Sequence, residues 1–349
     1  MRSVRKELSP RGRTTAISML SITQTQPYYT PLGQRTDYTV KSSPASTFDV
    51  RIIDTWTEEP FAVRRFVDTA EATFDVAPCI RRAIVYAPQN GKTGFSKDRN
   101  RSRTIILLAQ PAATTEAEAA ASRVYSTDKM FYAANDSATP PALLTTMPRA
   151  RLISPGEQDE LSILTAVFPK ATVTADNPAT GDAEGCNFAI STSGLVQFRI
   201  DPEEFPGAER IEVAIEGCEP VVYTVVPPLP EGRRIAWRSS AGSVEHYTFP
   251  IEETVTVVAE KTRIYGPDGH GAATTAAETR VRLRSAFEGR EVLEALAEIL
   301  VSPEVWQVDR DGYTPIDVTS DRAVVHRHGT LGCMEVEIRD KRKTPQSWS

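Results

Sequence analysis

No run of about 18 apolar residues occurs anywhere in the chain, so a membrane-spanning helix is not expected, and neither is membrane insertion. Cysteine is scarce. The four present, Cys79, Cys186, Cys218 and Cys333, are widely spaced and form no Cys-x-x-Cys pair, which argues against a zinc ribbon or a redox dithiol. Cys186 and Cys218 could share a domain and bridge; buried, reduced thiols in a protein made in the cytosol are the simpler expectation. A basic excess is missing too: 40 Lys and Arg stand against 46 Asp and Glu, a net charge of −6. The electrostatic footprint of sequence-specific nucleic-acid binding is therefore absent.

Signatures of catalysis are equally thin. No Gly-x-Ser-x-Gly elbow occurs. Gly91-Lys92-Thr93 looks like the end of a phosphate-binding loop, but Tyr86 stands where the first glycine should be, so a turn is expected. His326 and His328 share one face of a strand, with Asp309, Asp311 and Cys333 near in sequence; no ligand spacing specific to a metal is present. His246 and His270 have no recognisable nucleophile or carboxylate partner. Glu157, Asp159 and Glu160 read as a solvated loop, because paired carboxylates for hydrolysis need a separation in space that spacing does not reveal. Tyr28, Tyr29, Tyr38 and Trp56 could stack on sugars, although interior packing accounts for most such aromatics. The expectation is a non-enzymatic protein with no catalytic residue, cofactor or metal.

What is present is a series of strand signals. The 349 residues exceed one ordinary core, and four regions are expected. Residues 1–22 are basic (Arg2, Arg5, Lys6, Arg11, Arg13) and read as a flexible arm, not a signal peptide. Residues 23–148 read as a β-sandwich-like domain, with strands at Phe48 to Ile53, Ala62 to Val67, Ala72 to Val76 and Ile105 to Leu108 and a helix-prone stretch at Thr114 to Ser122. Residues 149–229 read as a second one. Its strands fall at Leu161 to Val167, Phe188 to Ile190, Leu195 to Ile200, Ile211 to Ile215 and Val221 to Val226, and Pro227, Pro228 and Pro230 then form a stiff linker.

Residues 230–349 read as an α+β oligomerisation domain. Ile235 to Trp237 and Tyr247 to Phe249 flank a turn at Ala241-Gly242-Ser243, predicting a hairpin. Thr254 to Val258 is a strand and Gly266 to Ala277 a flexible loop. Thr279 to Arg284 alternates strictly, and Arg290 to Val301 is an amphipathic helix stopped by Ser302-Pro303. Val305 to Val308, Ile316 to Val318 and Met334 to Arg339 are strands, and the tail from Lys341 is frayed. Arg280, Arg282 and Arg284 share one strand face, and Glu335 and Glu337 share another. If those strands lie in one sheet, their apolar faces cover the helix. The charged faces then form a candidate subunit interface, or merely a solvated surface.

Three pieces resemble structural tail and baseplate proteins of tailed bacteriophages, of the distal-tail or adaptor type. They are Leu144-Thr145-Thr146-Met147-Pro148-Arg149 with Glu157 and Leu161, the hairpin from Ile235 to Phe249, and the strand–helix–strand run from Thr279 to Asp340. The hairpin departs from the pattern, having Ser239 and Ser240 where an asparagine is common. The resemblance implies a mainly β fold of sandwich-like domains, with a C-terminal tail-tube-like sheet packed on one helix. It implies a non-enzymatic virion component made in the bacterial host cytoplasm. Its partners would be identical subunits in a ring, a hexamer among the options, and neighbouring tail or baseplate proteins. The alternative expectation is a carbohydrate- or receptor-binding adhesin built of β-sandwiches.

Overall fold

The computed structural model describes residues 19–112, 122–178, 181–341 and 346–348. In chain order the strands begin with β1 (Met19–Gln24), β2 (Tyr29–Pro31), β3 (Asp37–Asp54), β4 (Pro60–Asp75), β5 (Gly94–Ser96), β6 (Ser102–Pro111), β7 (Val124–Tyr125), β8 (Lys129–Tyr132) and β9 (Ala142–Leu144). They continue with β10 (Ala150–Ile153), β11 (Asp159–Thr165), β12 (Lys170–Asn177), β13 (Asp182–Ala189), β14 (Gly194–Ile200), β15 (Arg210–Ile215), β16 (Val221–Val225), β17 (Arg233–Arg238) and β18 (Val244–Phe249). The last are β19 (Ile251–Gly266), β20 (Gly269–Arg284), β21 (Val305–Asp309), β22 (Gly312–Val318), β23 (Val324–His328), β24 (Leu331–Asp340) and β25 (Gln346–Trp348). Helices are few: α1 (Ala77–Ala83) and α2 (Arg290–Ala297), with short 3-10 turns. The protein is mainly β, as its alternating segments predict. None of the described helices is long and apolar enough to cross a membrane. All four cysteines are free thiols.

The chain forms two compact units. The first holds residues up to Tyr28, Arg35–Ile80 and Thr104–Lys129. Its spine is the hairpin β3–β4. Strand β1 pairs with the first half of β3 (Gln24 opposite Tyr38, Met19 opposite Ser43) and β6 with the second half (Phe48 opposite Pro111, Asp54 opposite Ile105). Phe48, Val50, Ile52 and Phe74 are buried, and Phe66 stacks on Phe48 at 5.4 Å between ring centroids. Two expectations change here. Met19–Ile22 belongs to a paired strand, not to the arm, because Leu20 is a buried core residue; residues 1–18 lie outside the described residues. The two strands expected at Ala62 to Val67 and Ala72 to Val76 are one long strand. Shifts of register beside Ser46 and a left-handed Asp68 (φ 47°) bend it rather than end it. The helix-prone stretch falls largely on residues 113–121, outside the described residues.

The second unit holds Tyr29–Gln34, Arg81–Arg103 and everything from Met130 onward. Part of it is a sandwich, with one sheet ordered β10-β16-β15-β12-β13 and the other β5-β14-β11-β9. Between them lie Ile163, Val173, Val196, Phe198, Ile211, Val213 and Tyr223. The strand Lys170–Asn177 carries its apolar face on Ala171, Val173 and Ala175; with two of its three positions filled by alanine, it gives little strand signal in the sequence. The proline stretch from Pro227 lies inside this unit, where Val226 N–H donates to Ile153 C=O.

The rest is a sheet ordered β18-β17-β21-β22-β24-β20-β19, with β23 beside β24 and β25 beside β20. Helix α2 packs Leu296, with Ile299 just beyond, on Trp237, Leu283, Met334, Val336 and Ile338. The hairpin β17–β18 turns where expected: Gly242 has φ 84°, and a Cβ there would sit 2.6 Å from Ala133 O, so only glycine fits. The expected flexible loop at Gly266 to Ala277 is instead strand. Gly269 to Ala277 pairs with β19 back to Ala259, with one register shift at Thr262–Arg263, and the turn is confined to Gly266–Gly269. Small residues there signal a narrow ribbon, not a break. Gln346–Trp348 pairs with Thr275–Ala277 and is not frayed.

Candidate interaction surface

The five residues predicted as an interface are brought together. Strands β20 and β24 pair antiparallel, with Arg282 opposite Glu337 and Arg284 opposite Glu335. The apolar faces of both strands turn toward α2, as the alternation predicts. The polar face is a ladder of ion pairs within the chain. Arg284 meets Glu335 at 2.7 Å, Arg280 meets Glu278 at 2.5 Å and Glu337 at 3.3 Å, and Arg339 joins Glu278 to Asp317. His326 Nε2 lies 3.1 Å from Glu335. The Glu278 carboxyl is held below its ordinary range by hydrogen bonds from Arg280 and Arg339. At Glu335, burial alone would raise the carboxyl, but the Arg284 hydrogen bond and charge outweigh it and the net shift is downward. Arg282 is exposed.

Beyond this ladder the hairpin β19–β20 runs on, with 16 residues in each strand. Among the described residues no strand pairs with the outer edge of β19. On one face Val255, Val257 and Ala259 stand opposite Val281, Thr279 and Ala277. That face continues the apolar side of the sheet past the helix, and Val255 and Val257 are 54% and 67% exposed.

The loop expected at Glu157 to Glu160 is a correction. Asp159 and Glu160 open strand β11, are 3% exposed, and belong to a buried charge network. Asp159 accepts hydrogen bonds from Arg151 Nη1 (2.8 Å) and Tyr223 OH (2.9 Å), and its Oδ1 lies 2.9 Å from His246 Nδ1. His246, expected to lack a carboxylate partner, also places Nε2 2.8 Å from Tyr313 OH. Arg151 reaches Glu245 at 3.4 Å. Beside this, Arg101 is paired with Glu160 and Asp98, and Arg234 meets Glu157 at 3.2 Å.

Burial alone would raise the Asp159 carboxyl; Arg151 and then His246 overcome that and hold it far below the usual range. Burial pushes the Tyr223 and Tyr313 hydroxyls up, so both keep their protons. An ionised acid whose oxygens are already engaged and phenols that hold their protons make a clamp. It fastens sandwich strands β10, β11 and β16 to β18 and β22 of the C-terminal sheet. Nothing in the sequence flags it, since His246 lies 87 positions from Asp159.

Other candidates separate. No three His, Cys, Asp or Glu side chains group as metal ligands among the described residues. His328 rests near the Phe287 ring, and Asp309 caps the turn to Gly312 by accepting from its N–H and that of Asp311. Gly91 N–H donates to Gln158 in a loop before β5. Of the four aromatics proposed for stacking, Tyr38 is fully buried, whereas Tyr28 and Trp56 are exposed.

No family model matches the sequence, and no curated protein matches it. Among solved structures the chain is similar to the Salmonella enterica SafA pilin in complex with the SafB chaperone, with 10% identity over 64% of this chain and 100% of that one and a TM-score of 0.23. It is also similar to the Dpr2 Ig1-Ig2 in complex with DIP-Theta Ig1-Ig3, with 11% identity over 60% of this chain and 100% of that one and a TM-score of 0.19. A tetra-tandem repeat from the extending region of a large adhesion protein aligns with 9% identity over 95% of this chain and 90% of that one, with a TM-score of 0.25. At these scores the likenesses carry no functional argument.

Proposed function

We propose that the protein is a non-enzymatic structural component that binds other protein chains through its C-terminal sheet. The observation that carries this is the hairpin β19–β20, whose outer strand of 16 residues offers an edge that no strand among the described residues pairs with, and exposed valines beside it. Such an edge is a template for another strand, and proteins that do not use one guard it. A phage tail or baseplate, with copies of the chain in a ring beside other tail proteins, is the setting that the sequence motifs suggest. Light scattering on the intact chain, from dilute to concentrated solution, tests the reading. Masses above 38.4 kDa that grow with concentration are expected; a monomer throughout overturns self-assembly.

One feature favours an adhesin as the second reading. A groove of about 360 Å³ in the second unit is lined by Arg81, Asn135, Arg238, Ser240 and Glu298 beside Val301. That mixture of donors, acceptors and apolar wall suits a sugar. Glycan-array binding that is lost in Arg81→Ala would support it.

A further inference from the structure

We infer that the outer edge of β19 pairs with the same edge of a second copy, antiparallel, about a two-fold axis at Val257; the inference rests on the assembly reading and names its partner. Strand β19 contains no proline, and its register against β20 is shifted only beside Glu252 and beside Arg263, so the stretch from Thr254 to Ala259 carries no proline, bulge or charge to guard it against pairing. Side chains directly opposite in an antiparallel pair share a face, which restricts the axis to a residue rather than a gap between residues. Centring it on Val257 sets that side chain against its own copy and Val255 against Ala259 of the copy. The exposed apolar stripe then runs on across both copies, its side chains packed side by side.

The other face decides in favour of this partner by charge. There Thr254 stands beside Arg282, Thr256 beside Arg280 and Glu260 beside Ala276. The same axis places Glu260 of the second copy opposite Thr254. Arg282 of one copy and Glu260 of the other then flank a short threonine, with backbones about 10 Å apart across two strand spacings. That is within the joint reach of the two side chains, and symmetry gives the pair twice. A two-fold contact of this kind is self-complementary and closes with two copies.

The test uses the full chain. Val257→Lys puts like charges opposite each other at the axis and should weaken the dimer about tenfold, with the thermal midpoint nearly unchanged because the side chain is exposed. Val257→Cys should give a disulfide-linked dimer under mild oxidation, since opposed Cα atoms lie about 4.5–5.5 Å apart. Lys261→Cys should not, because the two positions would be about 27 Å apart along the strands. Wild-type chain, with its four native thiols, is the control. Equal cross-linking of both cysteine variants, or a Val257→Lys protein that still assembles like wild type, overturns the two-fold pairing and leaves the assembly reading standing. A monomeric wild type overturns both.

Discussion

Asp159 shows how much of this protein turns on single charged side chains placed away from water. A lone buried carboxylate is costly, and it is tolerated here because Arg151, Tyr223 and His246 all address it. Removing one partner of a buried pair leaves the other unmatched, so Asp159→Ala should lower the stability of the second unit by about 3–5 kcal/mol, read as a fall in the urea midpoint. A loss below about 1 kcal/mol would mean that water or Glu245 replaces the carboxylate for Arg151. The pH dependence follows from the lowered carboxyl. The unfolded chain takes up the proton first, near the ordinary value of about 3.9. The stabilisation is thus fully present above about pH 5 and is lost as pH falls toward the folded value. Asp159→Asn should flatten that acid limb. In the sequence, Asp-Glu-Leu-Ser-Ile-Leu-Thr reads as a polar loop entering a strand, because the cations that permit its burial are distant in the chain.

At the level of elements, alternation and turn chemistry are legible, and small residues are not. The hairpin at Gly242, the helix from Arg290 and the strands at Thr279 and Met334 follow from periodicity alone. The strand at Lys170 and the outer half of β20 do not, because Ala, Gly and Thr mark a strand only once a partner supplies the register. The charge ladder was visible because arginines and glutamates alternate with large apolar residues. Its pairing is open to test. Arg284→Glu opposes Glu335 with a like charge and should cost about 0.5–1 kcal/mol. Adding Glu335→Arg should restore much of it, measured by double-mutant cycle in urea; no coupling would mean that the 2.7 Å pair contributes nothing in solution.

For the whole molecule, the order of residues along the chain hides its division. The first unit is assembled from three separated segments, which no composition shift or proline cluster announces. Net charge is equally silent: −6 over 349 residues gives no field strong enough to steer a partner, so any assembly must be specified by local pairs. Arg282 is where folding and assembly can be separated. Within the chain it faces Glu337 across β24; across the inferred two-fold axis it faces Glu260 of the second copy. Arg282→Glu disturbs both. It should shift the thermal midpoint only slightly, because exposed pairs contribute about 0–1 kcal/mol, and lower the assembled mass clearly. Adding Glu337→Arg, at a position opposite Arg282 in register but ion-paired with Arg280, should not return the mass, whereas adding Glu260→Arg should return the mass without the midpoint. If Glu337→Arg restores both and Glu260→Arg neither, Arg282 serves the fold of one chain, and the contact between copies lies elsewhere on the sheet.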